Sequence, residues 1–192
     1  MLIAQNGYDK RVEKRQDKWA KLIPTHTLVQ FAGGMGFLSL GTGWDYGKKE
    51  QWETDALLGF LPKFSTDKNK ITFTMKENYI PWKKDFNDYF AYNPLTCGLY
   101  FNTIFDDDFW VNQPDKYPNK YYSFSTKIRF NIYVGQRFTF KIPPEKRVFA
   151  KEISAFYEIS SSDLYIISAV GNGYLKPQDY LRLSFGLKLQ LF

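Results

Sequence analysis

The sequence predicts an all-β fold: an eight-stranded antiparallel up-and-down transmembrane β-barrel with a short N-terminal amphipathic helix. Three observations predict it. Strand-length segments alternate oily and polar residues, as where Phe124, Ile128, Phe130, Ile132 and Val134 share one parity and Ser123, Ser125, Lys127, Arg129 and Asn131 the other. Aromatic residues make up 19% of the 192, with 18 Phe, 14 Tyr and 5 Trp, a load that girdles at two membrane interfaces account for. No apolar run is long enough for a membrane-crossing helix, which leaves strands as the spanning element. The mean hydropathy of −0.43 fits, because lumen and loop residues dilute the lipid-facing half.

Residues 8–23 read as the helix. Tyr8, Val12, Trp19 and Ile23 fall on one stripe, and Pro24 stops it. Its segment carries Lys10, Arg11, Lys14, Arg15, Lys18 and Lys21 against Asp9, Glu13 and Asp17, so it concentrates half of the net charge of +6. A solvated charged helix explains this, and so does attraction to an anionic membrane surface. The chain thus divides into an N-terminal segment, 1–24, with an interfacial helix, and a barrel, 25–192. The start "MLIAQNG" is similar to the tail of a secretory signal.

From His26 onward only strands are expected. Val29–Phe37 is read as the first, and "GTGWDYGKKEQ" as a turn. Strands follow at 52–60, 71–76 and 95–102, separated by "PKFSTDKN" and "PWKKDFNDYFAYNP". After the polar loop "DDDFWVNQPDKYPNK", the segment from 122 to about 141 is the fifth strand, and 149–159, past "PPEKR", is the sixth. "SSSD" reads as a turn, and the apolar run Leu164–Val170 as a seventh strand. "GNGYLKPQD" precedes the last, 181–191. This count puts the loop 106–120 on the side of the chain termini, where such barrels keep connections short. Either the strand count errs, near Gly135, or the loop docks a partner.

The polar parity decides which side is inside. It holds Glu53, Asp55, Lys76, Lys127, Arg129, Glu152, Glu158, Arg182 and Lys188, of mixed sign, with Gly34, Gly36, Gly59, Gly98 and Gly186 among them. Side chains just fill an eight-stranded barrel, and a lone charge there costs several kcal/mol, so a lumen needs both signs. The oily parity is large enough to exceed what eight strands enclose. A soluble lipocalin-like barrel would reverse the arrangement, with the oily parity lining a ligand cavity, and is kept as an alternative.

The last strand, "YLRLSFGLKLQLF", resembles the closing strand of bacterial outer-membrane barrels, which often end on Phe; here Phe192 falls in the polar parity and Leu191 closes the oily one. "LIPTHTLVQFAG", "GTGWDYGKKEQWETDALLGFLPK" and "LTCGLYFNTIF" are similar to small outer-membrane barrels of Bacteroidetes-type bacteria. The resemblance implies a Gram-negative outer-membrane location, contact with outer-membrane lipid and lipopolysaccharide, and association with a larger outer-membrane complex, without an activity. Distant likeness to two lipid A enzymes gives a second function. Against the deacylase pattern H-x-S-N, "SAVGNGYLKPQD" keeps Asn172 but has Ala169 for the His and Gly171 for the Ser. The palmitoyltransferase order of helix then barrel matches, with His26 after the helix.

Three functions therefore stand: a non-enzymatic structural or accessory barrel, a lipid A or phospholipid acyl-modifying barrel enzyme, and a soluble ligand-binding barrel. His26 is the one histidine, so any His-dependent catalysis must use it; a strand start more often places it at a polar rim. Glu53, Asp55, Lys127, Arg129, Glu152 and Arg182 are the expected lumen polar cluster. Asp106 to Asp108 lack the spacing of a calcium loop, "GMGFLSLGTG" lacks the Lys and helix of a phosphate loop, and "DKYPNKYY" sets basic residues beside tyrosines, a pattern suited to lipopolysaccharide phosphates. No metal site, cofactor or nucleic-acid motif is expected. Cys97 excludes an internal disulfide and reads as a small hydrophobe.

Overall fold

The computed structural model describes residues 2–63, 68–105, 128–171 and 176–191; within these, the side chains of 2–7 and 168–171 are not described. Helix α1 runs Leu2–Ala20, starting earlier and ending sooner than expected. The backbone winds off through Leu22 N–H to the Trp19 carbonyl, ahead of Pro24, which has no N–H to continue the ladder.

Among the described residues nine strands follow: β1 His26–Ala32, β2 Leu38–Tyr46, β3 Trp52–Leu61, β4 Lys70–Tyr79, the two-residue β5 Lys84–Asp85, β6 Phe90–Phe105, β7 Ile128–Lys141, β8 Glu152–Ser162 and β9 Arg182–Gln190. Every pairing is antiparallel. β1 pairs with β9, and β4 with β6, so the eight long strands close on themselves; β5 rides on the start of β6, beside Ala91 and Tyr92. Closure removes the free edges that an open sheet of this length leaves to aggregation.

The barrel of eight stands, but two of its expected strands do not. Val29–Phe37 is not one strand: β1 ends at Ala32, residues 33–37 turn with positive φ at Ala32, Gly33 and Gly36, and β2 runs through the stretch read as a turn. Met35, expected on the outer face, folds inward and is buried. The reason β2 looks like a turn is its inner face. A Cβ at Gly43 would collide with the Asp55 carboxylate and the His26 imidazole, and one at Gly41 with Leu57. Glycine answers crowding there, not a reversal of the chain. Conversely, Leu164–Val170 lies in helix α2, Asp163–Gly171, followed by the short α3, Pro177–Tyr180. A run apolar on all sides has no period with which to tell strand from helix.

These two errors cancel in number but not in placement. The connection spanning 106–127 joins β6 to β7, at the end opposite His26 and Gln190, not at the end where the termini lie. The residues of that connection, including Asp106 to Asp108, "DKYPNKYY" and Lys127, lie outside the described residues, as do the side chains of Ala169, Gly171 and Asn172. At the terminal end the connections are 47–51, 80–89 and 142–151; at the other they are 33–37, 62–69, 106–127 and 163–181.

Parity sets the two faces. On β7, Phe130 is 60% exposed, and Ile132, Val134 and Phe138 are exposed beside it, while Asn131, Tyr133 and Thr139 are buried. On β3, Leu58 and Phe60 point out and Glu53, Asp55 and Leu57 point in. Among the described residues of the eight long strands, Glu77 is the one charged side chain on the outer parity, and it is held by the hydroxyls of Tyr46 and Thr54 near the terminal end. The register irregularity between Asn93 and Thr96 switches the inward parity of β6 from odd to even positions, a bulge where Pro94 interrupts the ladder.

Outer aromatic rings gather at the strand ends. Trp52 lies 4.6 Å from Tyr79, and Tyr92 stacks on Phe138 at 4.6 Å, toward the terminal end. Phe31 meets Phe37 edge-on at 4.9 Å at the other. Inside, Leu28, Met35, Leu57, Tyr100, Tyr133 and Phe156 form an apolar cluster across the bore. Phe156 faces Gly186 across the β8–β9 ladder and its ring occupies the space of a glycine Cβ. Gly186→Val is expected to lower stability by about 1–3 kcal/mol, because the ring has no vacant volume to move into. The midpoint of urea unfolding in detergent micelles measures it, and an unchanged midpoint would mean the ring is not seated there.

Candidate functional site

The candidate site is the charged half of the bore, toward the terminal end. The inward positions of five strands converge on it: His26 of β1, Asp45 of β2, Glu53 and Asp55 of β3, Arg137 of β7 and Lys188 of β9. Period two turns these side chains into the bore, and the β1–β2–β3 and β1–β9 registers bring those of β1, β2, β3 and β9 near one another.

Glu53 is the hub. Its two oxygens accept from Arg137 Nη1 and Nη2, each at 2.7 Å, and Oε1 accepts from Lys188 Nζ at 2.6 Å. Bidentate guanidinium–carboxylate pairing fixes geometry as well as charge. Lys188 Nζ also reaches Asp45 Oδ1 at 3.1 Å. Asp45 takes further donors from the Thr25 hydroxyl at 2.7 Å and from the Gln190 amide. His26, with 0% exposure, has Nδ1 3.2 Å from Asp45 and Nε2 2.7 Å from Asp55. Both ring nitrogens face carboxylate oxygens, and both donate only in the imidazolium. Asp55 Oδ2 accepts from Asn78 Nδ2 at 2.8 Å, and Asn78 in turn accepts from the Tyr133 hydroxyl.

A second pair lies deeper. Lys76 Nζ donates to Glu158 Oε1, while Gln30 Nε2 holds Glu158 Oε2 at 2.8 Å and Ser184 Oγ at 2.9 Å. The Lys76 ammonium also sits over the Tyr133 ring, 4.5 Å from its centroid. Counting both groups, four carboxylates meet Lys76, Arg137, Lys188 and an imidazolium His26, so the buried set is neutral as paired.

Of the expected lumen cluster, Glu53 and Asp55 meet here. Arg129 and Arg182 face inward but at the opposite mouth, Arg129 with Asp163 at 4.0 Å. Glu152 lies at the terminal rim, 3.6 Å from Lys83. His26 is neither at an interface nor at a rim; it is sealed in the network. Asp45 and Arg137 were not among the expected residues. Arg137 was findable, since it continues the odd parity of Arg129 and Asn131, whereas Asp45 was hidden in glycine-rich sequence. Lys10, Arg11, Lys14, Arg15 and Lys18 lie on α1 and Lys21 just beyond it, and all are exposed.

His26, Glu53 and Asp55 bring one ligand atom each within 4.8 Å of one another, the spacing of a metal site. The Glu53 and Asp55 oxygens are already matched by Arg137, Lys188 and Asn78, and the His26 nitrogens by Asp45 and Asp55, so the charge a cation would balance is balanced by protein groups. A bay of about 720 Å³ opens above the network at the terminal end, floored by Arg137 and Lys188 and rimmed by Lys48, Lys49, Lys84 and Lys151. No protein-family model matches the chain, and no curated protein or solved structure matches it.

Proposed function

We propose that the chain is a membrane-spanning barrel of the bacterial outer membrane, non-enzymatic, acting as a structural or accessory subunit through its outer wall and its two ends. The observation that carries this reading is the partition of the wall: a band of Leu, Ile, Val and Phe faces out around the cylinder, while the charges are paired within. A soluble barrel has the opposite arrangement. β2, β3, β4, β8 and β9 are 9 to 11 residues long, matching the length with which a tilted strand crosses a bilayer. Aromatic rings at the strand ends suit the two interfaces.

Loop lengths supply the orientation. Short connections on the terminal side and longer ones opposite fit a barrel with its termini toward the periplasm and the 106–127 and 163–181 connections outward. The bore favours neither transport nor catalysis. Tyr100, Lys76, Met35 and Leu57 are fully buried across it, as small barrels require. His26 is committed on both nitrogens and is fully buried, which disfavours the lipid-modifying reading.

The test is fractionation of the full chain in a Gram-negative host. It is expected to sediment with outer membranes, to need detergent for extraction, and to migrate differently boiled and unboiled on a denaturing gel. Protein that stays in solution without detergent, with one mobility, would overturn the reading.

A further inference from the structure

The mouth opposite the termini holds a polar pocket of about 400 Å³ that the ion-paired network does not reach. It is lined by residues of β7, β8 and β9 with the first turn of α2: Arg129, Asn131, Tyr165 and Arg182 carry its chemistry. The two mouths share no lining residue.

Among the described residues its donors exceed its acceptors: the buried Arg129 Nη1 has no hydrogen-bond partner. Among the described residues the carboxylate paired with Arg129 is Asp163, which stands 4.0 Å from Nη1, beyond hydrogen-bond reach. Asp163 instead accepts the Leu164 N–H at 2.8 Å. Arg182 is held ready: its guanidinium lies 5.4 Å from the Tyr165 ring centroid, and Nη2 reaches the Tyr165 hydroxyl at 3.2 Å. Asn131 spends its amide on a long 3.5 Å bond to the Arg129 carbonyl. Among the described residues, two guanidinium groups stand here against one carboxylate.

A buried guanidinium nitrogen without an acceptor is costly, and at the bottom of a pocket its natural partner is an anion. Planar guanidinium forks match the terminal oxygens of a phosphate, and a neighbouring hydroxyl and amide complete such a set. We propose that this mouth is a binding site for a phosphate group, with Arg129 and Arg182 as the charged clamp and Asn131 and the Tyr165 hydroxyl as neutral donors. The pocket volume admits a phosphorylated sugar or a lipid headgroup. The site stands on these residues alone; the proposed orientation adds that it meets the medium and leaflet outside the cell.

The test uses the detergent-solubilised full chain. It is titrated with inorganic phosphate and glucose 1-phosphate, and separately with micelles doped with phosphatidic acid, following ³¹P line broadening. Saturable binding is expected, weakened at least about tenfold in Arg129→Gln and in Arg182→Gln, the loss of one charge-assisted pair. Asp163→Asn, which removes the competing carboxylate, is expected to tighten binding by about threefold or more. Circular dichroism of each variant checks folding, and Asp163→Asn keeps the test open if an arginine variant fails to fold. Binding of the soluble phosphates identifies a free ligand, and binding of phosphatidic acid alone identifies a lipid headgroup; each supports the site. No saturable binding of any probe, or binding indifferent to all three substitutions, overturns it. A chain that proves soluble but binds phosphate would sink the membrane reading and leave this one intact.

Discussion

Lys76→Met is expected to destabilise the barrel by about 3–5 kcal/mol, the largest single effect in the bore. Lys76 is 2% exposed and its partner Glu158 is buried with it, so the substitution strands a carboxylate whose remaining support is the Gln30 amide. The loss includes the contacts of the Lys76 ammonium with the Tyr133 and Phe156 rings. A second variant separates stranded charge from lost packing. In Lys76→Met combined with Glu158→Gln, both charges are gone and shape is nearly kept, so most of the stability is expected to return. Urea unfolding of the micelle-bound chain reads both. If the double variant is no more stable than the single one, the pair is not what Lys76 contributes.

Leu187→Arg is expected to cost about 2–4 kcal/mol when the chain is folded in a bilayer, the range for a cation on the lipid face near mid-membrane. Leu187 is 50% exposed, on β9, beside Val29 of β1 and Ala155 of β8. On a water-facing barrel the same exposed position would tolerate arginine within about 0.5 kcal/mol. Val148→Arg is the control. Val148 is 90% exposed in the 142–151 connection, beyond the strands, and no effect is expected there. Refolding into vesicles and unfolding in urea measures both, and equal tolerance at the two positions would place Leu187 in water.

Individual strands show where the two levels of information part. On β7 the alternation from Ile128 to Phe140 is read directly from the residues, because backbone pleating sends neighbours to opposite faces whatever lies beyond. β2 was not legible. Its inward Gly41 and Gly43 are present because His26, Asp55 and Leu57, from two other strands, fill the space where side chains would go. In one dimension such glycines mimic a turn. α2 failed for the opposite reason: Leu164 to Val170 carries one polar residue, Ser168, too few to mark a face by period.

The candidate site divides in the same way. Glu53 and Asp55 were recognisable as inward acids. That Glu53 would be clamped by Arg137 was not, since the two lie 84 residues apart, and Gln190 and Asp45 meet across 145. His26 illustrates the limit best. Its neighbours in sequence place it at a strand start, yet it is the most enclosed of the charged set.

The sequence by itself determined the sidedness of the wall and the mixture of signs within, because period-two alternation and composition are properties of each strand alone. The tertiary structure decided where strands begin, on which end each connection lies, and which acid meets which base. Those depend on register around a closed cylinder, and closure joins strands whose separation along the chain leaves no local trace.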